Sequence, residues 1–153
     1  MQFRCAHDAV CFGFNNQNRE NVKVSDLRRI SGAGDLTLGE IIWQAVGIVG
    51  KVDRLPHAER SAIHVKCNPF VTYETVRSLA DLIGLPPRIE SYACVRAYKD
   101  DKPSIREIAL ESGKAVGTIQ EMRKKAFDKI DAHYFRGMAL LECALGDLIE
   151  RAA

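Results

Sequence analysis

Gln120, Lys124 and Lys125 stand four and five residues apart in "GTIQEMRKKAFDKI". At helical spacing they place an amide and two ammonium groups toward one side of a helix. That chemistry suits a polyanion with readable edges, since glutamine pairs bidentately with adenine and lysine reaches guanine or phosphate. A second set, Cys5, His7 and Cys11, offers thiol and imidazole donors of the kind zinc takes. Its spacing lacks a fourth ligand unless Cys67 or His64 folds over, so isolated structural roles are expected, with no metal and no cofactor. A third set, His57, Glu59 and His64, falls on one predicted helix. No nucleophile or paired carboxylate accompanies it, and "SGAGD" lacks the lysine and preceding strand of a phosphate loop. Enzymatic activity is therefore not expected.

The Gln-Lys helix needs a support. Ser104 and Glu107 have capping-box spacing at the start of a preceding helix. Ile108 and Ala109 face inward there, and Ala109 is small enough for a close helix crossing. Gly113 sits where the chain must turn, and it avoids the Cβ penalty of a left-handed residue. Ile119, Met122, Ala126 and Ile130 then recur at steps of three, four and four. This is the arithmetic of a helix-turn-helix. Gly117, Gln120, Glu121, Lys124 and Lys125 lie off the buried stripe, near the front of the second helix. In DNA-binding versions of this motif that front enters the major groove. From Arg96 to Lys129 there are nine Lys or Arg against six Asp or Glu, a local net of +3 in a chain whose total is +2. The overall charge thus does not announce nucleic acid, but its distribution favours phosphates here. The same corner also occurs in helical proteins that never touch DNA.

The 153 residues suffice for one ordinary domain or two small ones, with a globular balance of 46% hydrophobic and 27% charged. Five scattered cysteines read as reduced thiols. No secretory signal and no membrane-length apolar run is visible, so a cytoplasmic protein is expected. Residues 1–36 are rich in Gly and Asn and read as an irregular segment, with "VKVSDLRRI" undecided between strand and helix. Residues 37–87 read as a helical N-terminal part. Thr37 and Glu40 form a capping box before Leu38, Ile41, Ile42, Ala45, Ile48, Val49 and Val52, with Trp43 expected in the core. A helix begins at Pro56, and another is capped by Thr72 and stopped by Gly84. Residues 88–153 hold a helix with Ile89, Tyr92, Ala93, Val95 and Ala97 as buried candidates, then the helix-turn-helix and a long terminal helix. Phe127, Ile130, Tyr134, Met138, Leu141, Leu145 and Leu148 make its seam, expected to fold back on the helix after Thr37, with Gly137 and Gly146 as interruptions. Tyr134 and Phe135 are expected to anchor this helix. No alternating strand pattern follows residue 37, so the class is mainly α.

"EIALESGKAVGTIQEMRKKAFDKI" resembles, without a gap, the helix-turn-helix of region 4 of bacterial sigma factors. The matching residues are Glu107, Ile108, Ala109, Gly113, Val116, Gly117, Thr118, Ile119, Ala126 and Ile130. The usual serine cap of the recognition helix is Ala115, and a usual apolar position is Arg123, whose gap Met122 is expected to fill. An upstream helical block without a promoter −10 region makes the layout similar to the phage antitermination protein Q group. That resemblance implies binding of double-stranded DNA beside a late promoter and action on bacterial RNA polymerase, as a monomer. In this reading Arg106, Lys114, Arg123, Lys125 and Lys129 position the DNA backbone. Gly117, Thr118, Gln120, Glu121 and Lys124 lie near base edges. The alternatives are an ordinary repressor or activator, and a helical adaptor that uses the corner only for protein contacts.

Overall fold

The computed structural model describes residues 2–17 and 37–149, and these form seven α-helices with no strand, only an isolated parallel bridge between Phe3 and Ile149. They are α1 (Ala6–Asn16), α2 (Leu38–Asp53), α3 (His57–Cys67), α4 (Tyr73–Leu82), α5 (Ile89–Arg96), α6 (Ile105–Ser112) and α7 (Val116–Ala144). The chain is mainly α, with a long helix near its C-terminus. The undecided stretch 22–30 and "SGAGD" lie outside the described residues. Among the described residues no helix is long and apolar enough to cross a membrane.

Two compact units do not follow chain order. The first takes its described residues from Met1–Leu55, Cys67–Pro69 and Gly137–Ala153; the second comprises Pro56–Lys66 and Phe70–Arg136. The 37–87 block is therefore divided between them, α2 in the first and α4 in the second.

In the first unit, α1 occupies part of the segment read as irregular. Ala6, Ala9, Val10 and Phe14 bury its apolar side despite the Asn-rich composition. Gly13 lets α1 approach α2: a Cβ there would lie 3.1 Å from Ile48 Cγ2 and 3.2 Å from Val49 Cγ2. The start of α2 has the expected capping box, with the Glu40 N–H donating to Thr37 Oγ1 and the Thr37 N–H to the Glu40 carboxylate. Ile41, Ala45, Ile48, Val49 and Val52 are buried, whereas Leu38 is exposed. Trp43 is not core; it is 81% exposed. Two residues turn a helix by about 200°, so Trp43 points opposite the Ile41 stripe. Only the later half of the terminal seam belongs to this unit, with Met138, Leu141 and Leu145 buried, while Phe127, Ile130 and Tyr134 lie in the second. Lys51 Nζ donates to the Ala144 carbonyl (2.6 Å) and the Phe3 N–H to that of Leu148 (2.7 Å). The end of α7 thus meets α2 through Lys51, which realises the expected fold-back only for that end of the seam. Gly137 does not interrupt α7, which runs on to Ala144.

In the second unit, Pro56 stands immediately before α3, its carbonyl accepting from Arg60 N–H (2.9 Å). Thr72 caps α4 by accepting from Thr75 N–H (3.3 Å). Gly84 ends that helix at φ 78°, where Leu85 N–H reaches the Ala80 carbonyl and Gly84 N–H that of Asp81, a Schellman closure. In α5 the buried face is Ser91, Cys94 and Val95, continued by Tyr98 beyond the helix, while Ile89 is 76% exposed. Ile89 opens the helix and falls outside that face, so its apolarity does not bury it. Tyr134 is buried and meets Tyr98 edge-on. Phe135 is exposed, although its ring lies against Tyr134.

Candidate nucleic-acid interface

The helix-turn-helix corner lies wholly in the second unit. At its start Ser104 accepts from Glu107 N–H (3.2 Å) and Glu107 takes Ser104 N–H in return (2.8 Å). These two bonds satisfy donors that a helix start otherwise leaves open. Gly113 stops α6 in the left-handed region at φ 70°. With Ala115 in place of a serine, no hydroxyl caps α7 there; the Ala115 carbonyl accepts from Thr118 N–H (3.1 Å) and Ile119 N–H (3.2 Å). Ile108 and Ala109 of α6 and Ile119, Ala126 and Ile130 of α7 are buried, as their spacing predicts. Met122 is half-buried, its sulfur 3.8 Å from the Ser91 hydroxyl.

Gly117, Thr118, Gln120, Glu121, Lys124 and Lys125 are all exposed on α7, and Arg106 is exposed on α6. Gly117, Glu121, Lys124 and Asp128 follow steps of four, three and four. They trace a row opposite Ile119 and Ala126, with Gln120 and Lys125 flanking it. This outward face mixes charge: Glu121 and Asp128 stand among the lysines. No acid occupies the first turn of α7, so the partial positive charge of its N-terminus is unopposed there.

Three of the five residues expected to position a DNA backbone are engaged elsewhere. Arg123 is 8% exposed, donates to Asp101 Oδ1 (2.6 Å) and lies over the Phe127 ring, 5.0 Å from its centroid. Four residues after Ile119 and three before Ala126, it falls in the buried row, and Met122 does not take that place. Its aliphatic stem packs inward while its guanidinium reaches out to a carboxylate. Asp101 adopts a left-handed φ of 60°, which Asp tolerates better than most side chains. Lys129, though exposed, donates to the Ile83 carbonyl (2.8 Å) at the C-cap of α4, a favourable end for a cation.

Lys114, half-buried, lies 2.6 Å from Glu90 Oε1. The hydrogen bond from Lys114, helped by one from the backbone of Glu90, holds this carboxyl below its ordinary value despite burial. Its contribution to stability is present above the unfolded carboxyl value of about 4.3 and fades as pH falls through the lower folded value. Lys114→Met is expected to cost about 1–2 kcal/mol near neutral pH, less than a fully buried pair because the lysine is partly solvated. It should also flatten the acid-side loss of stability. Urea unfolding of both proteins from about pH 3 to 7 measures both effects.

The histidine set does not converge on one chemistry. His57 meets Ser78 Oγ (3.0 Å) and Arg60 (3.0 Å). Glu59 is buried, accepts from Arg136 (3.0 Å) and lies 3.6 Å from His133 Nδ1. In the first unit, the donor atoms of His7, Cys11 and Cys67 lie within 4.8 Å of one another, and Cys5 is not among them.

Leu110, not among the residues expected at the corner, is 85% exposed on α6 directly after the buried Ile108 and Ala109. Its signal was present: an apolar residue off the stripe in a short, otherwise regular helix. No family model, curated protein or solved structure matches this chain.

Proposed function

We propose that the chain is a sequence-specific DNA-binding regulator of transcription, acting in the cytoplasm without enzymatic activity. Within that class, it is a phage-type antitermination factor that binds double-stranded DNA and acts on RNA polymerase. The supporting observation is that Gln120, Lys124 and Lys125 stay exposed on a helix held by a capped α6 and a left-handed Gly113. A glutamine and two lysines there match the donors that base edges and phosphates accept. Arg106 adds a further exposed cation. The narrower antitermination reading rests on the resemblance of residues 107–130 to sigma region 4 and on the layout of the chain.

An adaptor that contacts only protein is the second reading. Exposed Leu110 and the acids Glu121 and Asp128 favour it, since an apolar side chain and carboxylates gain little from phosphates. An electrophoretic shift of duplex DNA by the full chain, repeated over a salt series, separates the two. The DNA reading expects a linear fall of log affinity with log salt, and the adaptor reading expects no shift even at low salt. Run-off transcription past a terminator then separates an antitermination factor, which increases read-through, from a repressor or activator, which changes initiation only.

A further inference from the structure

We infer that His7, Cys11 and Cys67 form a binding site for a zinc-class divalent ion. His7 and Cys11 sit on α1 four residues apart, one helical turn, so their side chains project from the same face. Cys67 comes from 60 residues away, at the end of α3, in the short Cys67–Pro69 segment of the same unit. Cys11 Sγ is 3.5 Å from one ring nitrogen of His7, and Cys67 Sγ is 3.7 Å from the other. One atom from each residue can be chosen so that all three lie within 4.8 Å of one another.

Tetrahedral zinc, with bonds of about 2.3 Å to sulfur and 2.0–2.1 Å to nitrogen, holds its donors about 3.5–3.8 Å apart. The set is up to about 1 Å wider than that, and the two sulfurs face different ring nitrogens, so binding at either nitrogen requires one thiol to swing toward the other. Two thiolates and one imidazole are soft and borderline donors, which select zinc over magnesium or calcium.

Three protein ligands leave one coordination position. Among the described residues no fourth donor joins the set; His7 and Cys11 are half-buried, and a water would complete the tetrahedron. The thiols bind as thiolates and release their protons on metal uptake. None of the five cysteines is in a disulfide, which leaves both sulfurs in the oxidation state a metal requires. Cys94 makes a contrast: burial pushes its thiol up to about 11, and among the described residues it belongs to no such cluster. A bound ion would fasten the Cys67–Pro69 segment to α1 within the first unit.

The test is Co(II) titration of the purified, reduced full chain, read by the thiolate-to-cobalt charge-transfer band and then by competition with zinc. One ion per chain is expected. Cys11→Ser and Cys67→Ser should each weaken binding by more than about a hundredfold, beyond what loss of an outer-shell contact causes. Cys5→Ser and Cys143→Ser should keep the band. Cys11 is half-buried, so its variant reports even if Cys67→Ser fails to fold, and circular dichroism distinguishes the two cases. The inference is overturned by absence of the band, by its survival in a folded Cys11→Ser chain, or by equal loss in the Cys5 and Cys143 controls.

Discussion

A chain carrying both Lys124→Glu and Lys125→Glu is expected to bind duplex DNA roughly a hundredfold more weakly at about 0.1 M salt, with a salt slope smaller by about two. Each phosphate contact contributes about −0.9 to the slope of log affinity against log salt, close to a factor of ten per contact at that salt. Charge reversal adds repulsion, so the estimate is a lower bound. The effect is readable without knowing the target, because backbone contacts are sequence-independent. Both lysines are exposed, so the unfolding free energy from urea titration should stay within about 0.5 kcal/mol of the parent's. Fluorescence anisotropy with a labelled duplex across the salt series, beside urea unfolding of the same samples, gives both numbers. Unchanged DNA affinity in the folded double variant would remove the DNA reading.

Arg123→Glu is expected to destabilise the second unit by about 3–5 kcal/mol, enough to lower its urea midpoint by roughly 2 M. The loss does not come mainly from the ion pair. Asp101 has an 81% exposed side chain, and a solvated pair of this kind contributes about 1 kcal/mol or less. The larger cost is a new carboxylate in a position that is 8% exposed, against Phe127 and beside the Asp101 carboxylate. Arg123→Leu replaces the stem with apolar volume and removes the need for a partner, so it should stay within about 1.5 kcal/mol of the parent. It should also keep the salt slope of any DNA binding. A slope reduced by about one in Arg123→Leu, with stability unchanged, would show instead that this arginine contacts phosphate.

These two predictions separate neighbouring residues that composition treats alike. "RKK" reads as three equivalent cations, yet Arg123 is turned inward and Lys124 and Lys125 outward. Spacing put Met122 in the buried row, and only the resemblance to sigma region 4 pointed to position 123 as usually apolar; the structure buries Arg123 there and leaves Met122 half-buried. Neither pointed to the carboxylate partner, since Asp101 is 22 residues away and its left-handed turn has no strong sequence signature. Lys114 and Lys129 carry the same lesson. Their partners, Glu90 and the Ile83 carbonyl, are distant in sequence, so no local pattern revealed that those cations were engaged.

Local chemistry settled the helix ends. Thr37 with Glu40, Ser104 with Glu107, Thr72, Gly84 and Gly113 each act within a few residues, through caps and left-handed stops that need no tertiary context. Spacing also located most of the buried stripes of α2 and α7, although Leu38 is exposed and Arg123 takes the place expected of Met122. Spacing puts Trp43 and Leu110 off their buried stripes, but tertiary structure decided that they and Ile89 stay exposed, because exposure depends on what the rest of the chain covers. It also decided that Cys67, and not Cys5, joins His7 and Cys11, and that α2 and the end of α7 share a unit. Such pairings bring together residues up to about a hundred positions apart, and their closure entropy grows only slowly with that separation. Sequence distance therefore carries almost no signal of them, and the packed fold selects the partners.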